Sequence, residues 1–182
     1  ARRLDDRRWE GGILGNLGWV SYSQGQVEPA QGHYEQALAL AVETGDRRWE
    51  GNARCNLGLL LQERGRHGDA GTQLSQALDI ARQIGAARLE ATVLCNLGLL
   101  AEAAGDLAQA CLLHEQAVAV MHSLGDRRSE GRFRIELGRL YGAAARWDAA
   151  RDCLDAAGTL LAAVSDAAGV ELLEACRAEV AA

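Results

Sequence analysis

Four histidines, five cysteines and 25 carboxylates are the side chains of this sequence with chemistry to offer, and their spacing decides what they could do. His33, His67, His114 and His122 form no H-E-x-x-H pattern. Cys111 and His114 lie one helical turn apart and could supply half of a metal site. No matching pair occurs elsewhere, and one of the two falls on a core-facing position, so packing explains them better than ligation. The carboxylates sit at helix starts and on solvent faces, without the isolated pair in an apolar setting that acid–base catalysis needs. There is no G-x-S-x-G motif. All nineteen cations are arginine, so a P-loop, a Schiff-base lysine and an S-x-x-K nucleophile are all absent. These observations point away from an enzyme, and no cofactor or metal is expected.

The cysteines (55, 95, 111, 153 and 176) are odd in number and include no C-x-x-C pair. Reduced thiols and a cytoplasmic setting are therefore expected. A net charge of −6 argues against a general nucleic-acid binder. No apolar run approaches the roughly 18 residues of a membrane span, so no membrane partner is expected. The sequence does not begin with Met, which leaves an upstream segment open.

Any binding residues must be positioned by helices. With one proline, and with abundant Ala, Leu, Arg and Glu, the chain reads as all-α. Shifted by forty residues, the sequence lies over itself. "NLG" occurs at 16–18, 56–58 and 96–98, with "ELG" at 136–138. Ala30, Ala70, Ala110 and Ala150 form one alanine column, and Ala37, Ala77, Ala117 and Ala157 form another. A fixed period of this size signals a solenoid of stacked units. In the second unit, Trp49, Ala53, Leu57, Leu60 and Leu61 recur at helical spacing. After a break near Gly65, Ala70, Leu74, Ala77, Leu78 and Ala81 do the same, giving an antiparallel helix pair. Gly18, Gly58, Gly98 and Gly138 fall inside helices, at about 1 kcal/mol each relative to Ala. Their repetition predicts a neighbouring helix backbone too close for a Cβ. The expected units are a repeat tail at 1–5, repeats at 6–45, 46–85, 86–125 and 126–165, and a capping helix or degenerate repeat at 166–182.

"DRRWEG" stands at 6–11 and at 46–51, with "DRRSEG" at 126–131. Gly45 is placed to end a helix in the left-handed conformation and Asp46 to cap the next. Trp49 joins the apolar stripe, and Glu50 suits the first turn. The arginines either pair with carboxylates such as Glu50 or form an anion-binding ladder. Ala86 and Ala87 interrupt such a ladder in the third unit, which favours the scaffold role.

The columns Leu57, Gly58, Ala70 and Ala77, with their equivalents, resemble the tetratricopeptide repeat. The phrasing G-D-R-x-x-E-G-x-x-x-x-N-L-G and the forty-residue period are similar to the long-repeat subclass of Pins-type adaptors and to repeats in large bacterial regulators. The resemblance implies a right-handed α-solenoid whose first helices line a concave face that holds an extended peptide. It places Asn16, Asn56, Asn96 and Glu136 on that face, then Trp19, Leu59, Leu99 and Arg139, then Tyr22, Gln62 and Glu102, with Arg132 adding charge near Glu136 and Arg139. The amides suit the backbone of an extended chain, or else they bond to neighbouring helices and space the units. The function implied is a protein–protein interaction module, part of a larger cytoplasmic protein, with a protein or peptide partner. The competing class is a regulatory, ligand-sensing or oligomerisation segment of a bacterial regulator, with self-association through the repeat ends.

Overall fold

The computed structural model describes the backbone of residues 2–181 and the side chains of residues 6–180. The described residues form nine α-helices and no strand. They are α1 (Arg2–Ser23), α2 (Val27–Thr44), α3 (Arg47–Glu63), α4 (His67–Gln83), α5 (Ala87–Ala103), α6 (Leu107–Ser123), α7 (Arg127–Ala143), α8 (Trp147–Ala163) and α9 (Ala167–Ala181). The fold is the all-α solenoid class that the forty-residue period predicts. Of the expected tail at 1–5, Ala1 and the side chains of 2–5 lie outside the described residues, and the backbone from Arg2 is continuous with α1.

Two compact units divide the chain, Ala1–Asn96 and Leu97–Ala182. In the first, α1 packs on α2 and α3, α2 on α3, and α3 on α4. Its core includes Ala30, Tyr34, Leu57 and Leu60. In the second, α7 is central, packing on α6, α8 and α9. One core cluster there joins Cys111, Val118, Leu137, Leu140 and Cys153, and another joins Ile135, Leu154, Leu161 and Leu173.

Both alanine columns are buried in full or nearly so. The glycine column has a different cause from the one expected. A Cβ on Gly18 would meet the Tyr34 ring at 2.5 Å, one on Gly58 would meet Leu74 Cγ at 2.6 Å, and one on Gly138 would meet Leu154 at 2.7 Å. The facing backbone carbonyls, those of Ala70 and Ala150, stand at 3.4 Å, an ordinary contact. It is a large side chain of the paired helix, one per repeat, that fills the space. At Gly98 that side chain is His114, with Nε2 2.7 Å from the Cβ position.

Helix ends recur every twenty residues. Gly25, Gly45, Gly65, Gly85, Gly105 and Gly125 all have φ between 65° and 80°. Ala145 (φ 56°) and Ser165 (φ 52°) continue the series without glycine. Glycine fits this left-handed turn because it has no Cβ to clash with the following carbonyl. The Gly45 N–H closes the end of α2 on Val42 O at 3.2 Å. Starts are capped where the sequence offers aspartate: Asp46, Asp106 and Asp126 accept from the N–H of Trp49, Gln109 and Ser129 at 3.1, 2.9 and 3.2 Å.

The repeated hexapeptide is taken up almost wholly by these tasks. Glu50 is buried and accepts from Arg47 Nη1 at 2.6 Å and from Arg54 Nε at 3.1 Å. Arg54 also reaches Gln73 and Gln76 on α4, tying the two helices together. Glu130 repeats the arrangement with Arg134 at 3.0 Å. Gly51 leaves room for Ile80 and Leu89. Arg7 donates to Glu43, and Arg47 also donates to Gln83 at 2.9 Å. Among the described residues, Arg48 and Arg127 make no such contact.

Candidate functional site

In the first unit the structure gathers Asn16, Trp19 and Asn56 from the predicted set. They line a cavity of about 190 Å³ with Gly15, Ala37, Trp49, Asn52 and Ala53. Next to it, Arg8, Trp9, Gly12, Ile13, Asn16 and Trp49 line a cavity of about 370 Å³. Asn16 and Trp49 border both, so the two cavities form one trough along α1 and α3.

Trp49 is the wall of this trough, and α1 is built to receive it. A Cβ on Gly12 would lie 2.9 Å from Trp49 Cζ2, and one on Gly15 would lie 3.3 Å from Cζ3. The indole therefore rests where two glycines, one turn apart, expose the α1 backbone. Trp9 and Trp19 are 75% and 62% exposed, so both offer apolar surface to a partner. Asn16, Asn52 and Asn56 make no side-chain hydrogen bond among the described residues, and all three line the cavity together with Trp19 and Trp49. Such a surface can pair with the backbone of an extended segment while the indoles hold its apolar side chains.

Asn96 behaves differently from its column. It is 9% exposed, and its Nδ2 donates to Cys55 Sγ at 3.3 Å. The position that holds Cys55 before Asn96 holds Gly15 before Asn56. Of the two roles open to the asparagines, Asn96 takes the structural one, with its amide spent on a neighbouring helix. Burial pushes the Cys55 thiol up to about 11. Tyr22 donates to Glu63, and burial together with that carboxylate pushes its phenol up to about 12. Leu59 and Gln62 are half-buried, and Gln62 Oε1 has no hydrogen-bond partner among the described residues.

In the second unit Glu102, Glu136 and Arg139 come together. Arg139 donates to both Glu102 oxygens at 2.7 Å and through Nε to Glu136 at 3.2 Å. The guanidinium holds the Glu102 carboxyl below the usual range. Leu99 is half-buried. Arg132 does not join this group. It forks onto Asp166 at 2.9 and 3.0 Å, and that carboxylate also accepts from Gly169 N–H at the start of α9. The pairing draws Asp166 below its ordinary range. Arg132 is thus a fastener between α7 and α9, a role the sequence reading did not give it.

Sequence reasoning missed Trp49, Asn52, Trp9, Ile13 and Arg8 as parts of the trough. The available signal was the pair Gly12 and Gly15, where the next repeat has Asn52 and Cys55. Among the described residues no His, Cys, Asp and Glu side chains group as a metal set, and no helix is long and apolar enough to cross a membrane.

No curated protein matches the chain in sequence. Among solved structures it is similar to BtubC (BKLC) from P. vanneervenii, with 26% identity, a TM-score of 0.75, 86% of this chain and 65% of that one covered. It is also similar to a Rap protein complexed with Competence and Sporulation Factor, at 19% identity and TM-score 0.84, over 96% and 52% of the two chains. Aspartyl phosphate phosphatase F from Bacillus subtilis gives 14% identity and TM-score 0.88, over 96% and 46%. The last two likenesses are of fold. The chain spans between about half and two thirds of the length of these relatives. A family model described as tetratricopeptide repeat matches residues 10–83 and 49–123, which together exceed half the chain. With helix ends every twenty residues, and glycine and alanine columns that close each helix pair, the chain belongs to the tetratricopeptide repeat family.

Proposed function

We propose that this chain is a protein–protein interaction module that binds an extended segment of a partner protein. The observation that carries the reading is the trough of the first unit, where Asn16, Asn52 and Asn56 keep their amides unpaired between exposed indoles. Asn16 is exposed and Asn52 and Asn56 are half-buried, so their amides are accessible and offer donors and acceptors to an incoming backbone. On this reading the chain is a non-catalytic part of a larger cytoplasmic protein, of the long-repeat subclass that resembles Pins-type adaptors. The Glu102–Glu136–Arg139 group would add charge selectivity in the second unit, with an acidic ligand group competing for Arg139.

The test is selection of binders from a displayed library of random peptides, followed by calorimetry against two variants. Asn16→Ala/Asn56→Ala is expected to weaken the selected peptides by roughly tenfold or more, at about 1 kcal/mol per lost hydrogen bond. Asn96→Ala is expected to leave affinity unchanged. Equal loss in both variants, or loss in neither, removes the trough from the binding surface.

A second reading, self-association within a bacterial regulator, is favoured by one observation. Trp9, Ile13, Leu17 and Val20 on α1 are exposed, whereas Ala53, Leu57 and Leu60 at matching places on α3 are buried. Sedimentation velocity over a hundredfold concentration range separates the readings: a constant monomer mass rules out self-association.

A further inference from the structure

His114 is the polar exception in a column that is otherwise apolar or aromatic. The matching side chains facing the helix glycines are Tyr34, Leu74 and Leu154. His114 is 1% exposed, and neither Nδ1 nor Nε2 has a hydrogen-bond partner among the described residues. Its ring sits against Gly98 of α5, so tightly that a Cβ there would collide with it. We propose that His114 is an acid-sensitive joint of the second unit: its neutral ring seats α6 on α5, and protonation opens that seat.

The charged groups around the ring do not offer it a ready counter-ion. Glu102 faces it from α5, and Glu136 and Arg139 face it from α7. Both carboxylates are held by Arg139. On α6 itself, the neighbouring Glu115 accepts from the Tyr141 hydroxyl at 2.7 Å. A proton on the ring would therefore be a buried cation without a hydrogen bond, which is strongly unfavourable. Burial holds the imidazole below its ordinary value, outweighing the attraction of the two carboxylates. The unfolded chain keeps the ordinary value of about 6.5. As pH falls below that value the unfolded state takes up the proton first, so stability is full above it and lost towards the lower folded value. The unfolding constant rises by up to about tenfold per pH unit in that window. Glu102, drawn down by Arg139, loses its contribution only at lower pH, in the carboxylate range. This inference rests on packing and does not depend on the ligand reading.

The experiment combines a histidine-labelled NMR titration of the full chain from pH 8 to 5 with urea unfolding and amide exchange of wild type and His114→Leu. Leucine is the residue the chain itself uses at 74 and 154, and the difference between the two proteins cancels the other three histidines. The expected result is a His114 signal that stays neutral well below pH 6.5. A fall in the protection factors of α5 and α6 of wild type on acidification, taken relative to the intrinsic exchange rate at each pH and absent from His114→Leu, completes it. Titration of His114 at or above its ordinary value overturns the proposal, and so does an identical acid loss in both proteins. The wild-type titration decides alone if His114→Leu does not fold.

Discussion

Asn56 and Asn96 share one column, yet only Asn96 is bonded within the fold, because Cys55 stands where Gly15 stands before Asn56. The letter at each asparagine was legible in the sequence. The difference between them was not, since it depends on a residue forty-one positions earlier that the column itself does not mark. The charged residues repeat the lesson. Arg139 with Glu102 and Arg132 with Asp166 pair across 37 and 34 positions, so the predicted cluster of Arg132, Glu136 and Arg139 separates into two different contacts. The cysteines follow burial more simply. All five are free and buried, and burial raises Cys55 and Cys153 to about 11. Because the thiolate is the reactive form, native thiols should react with a disulfide reagent at least about a hundredfold more slowly than in urea. A fast stoichiometric phase in the folded protein would show that one of them is accessible and activated.

At the scale of the element, each of α1 to α8 ends in a left-handed residue, and six of the eight such residues are glycine. Gly45 was legible as such an end, and a shift of forty residues from Gly105 reaches Ala145. The same shift from Gly125 reaches Ser165, and what the columns could not show is that both positions keep the left-handed turn without glycine. A non-glycine residue in this conformation costs about 1–2 kcal/mol. Glycine gives back part of that through the freedom of the unfolded chain, about 0.5–1 kcal/mol. Ala145→Gly and Ser165→Gly should each stabilise the fold by about 0.5–1 kcal/mol, and Gly105→Ala should destabilise it by a similar amount. Urea unfolding of the three variants checks the sign, and destabilisation by Ala145→Gly would mean that the alanine methyl packs in a way that offsets its strain. The helix-interior glycines were legible as tight places, but their occupant was not. The sequence suggested a backbone, whereas Tyr34, Leu74, His114 and Leu154 do the filling.

At the scale of the whole molecule, the forty-residue period carried the all-α solenoid class, because each repeated letter marks a place where one helix must close on another. Function was less legible, since the same columns that fix the fold occupy most of the repeated residues, the hexapeptide included. What they leave over is local: a trough in the first unit, with free amides and exposed indoles, and a charged group above a buried histidine in the second. The account stands or falls on the trough. The most direct measurement is titration of a selected binding peptide into isotope-labelled protein while the side-chain amide signals of Asn16, Asn52, Asn56 and Asn96 are followed by NMR. The account predicts saturable shifts for Asn16, Asn52 and Asn56, together with the indole N–H of Trp49, and none for Asn96. Saturable binding that moves none of those three amides would place the partner elsewhere and contradict it.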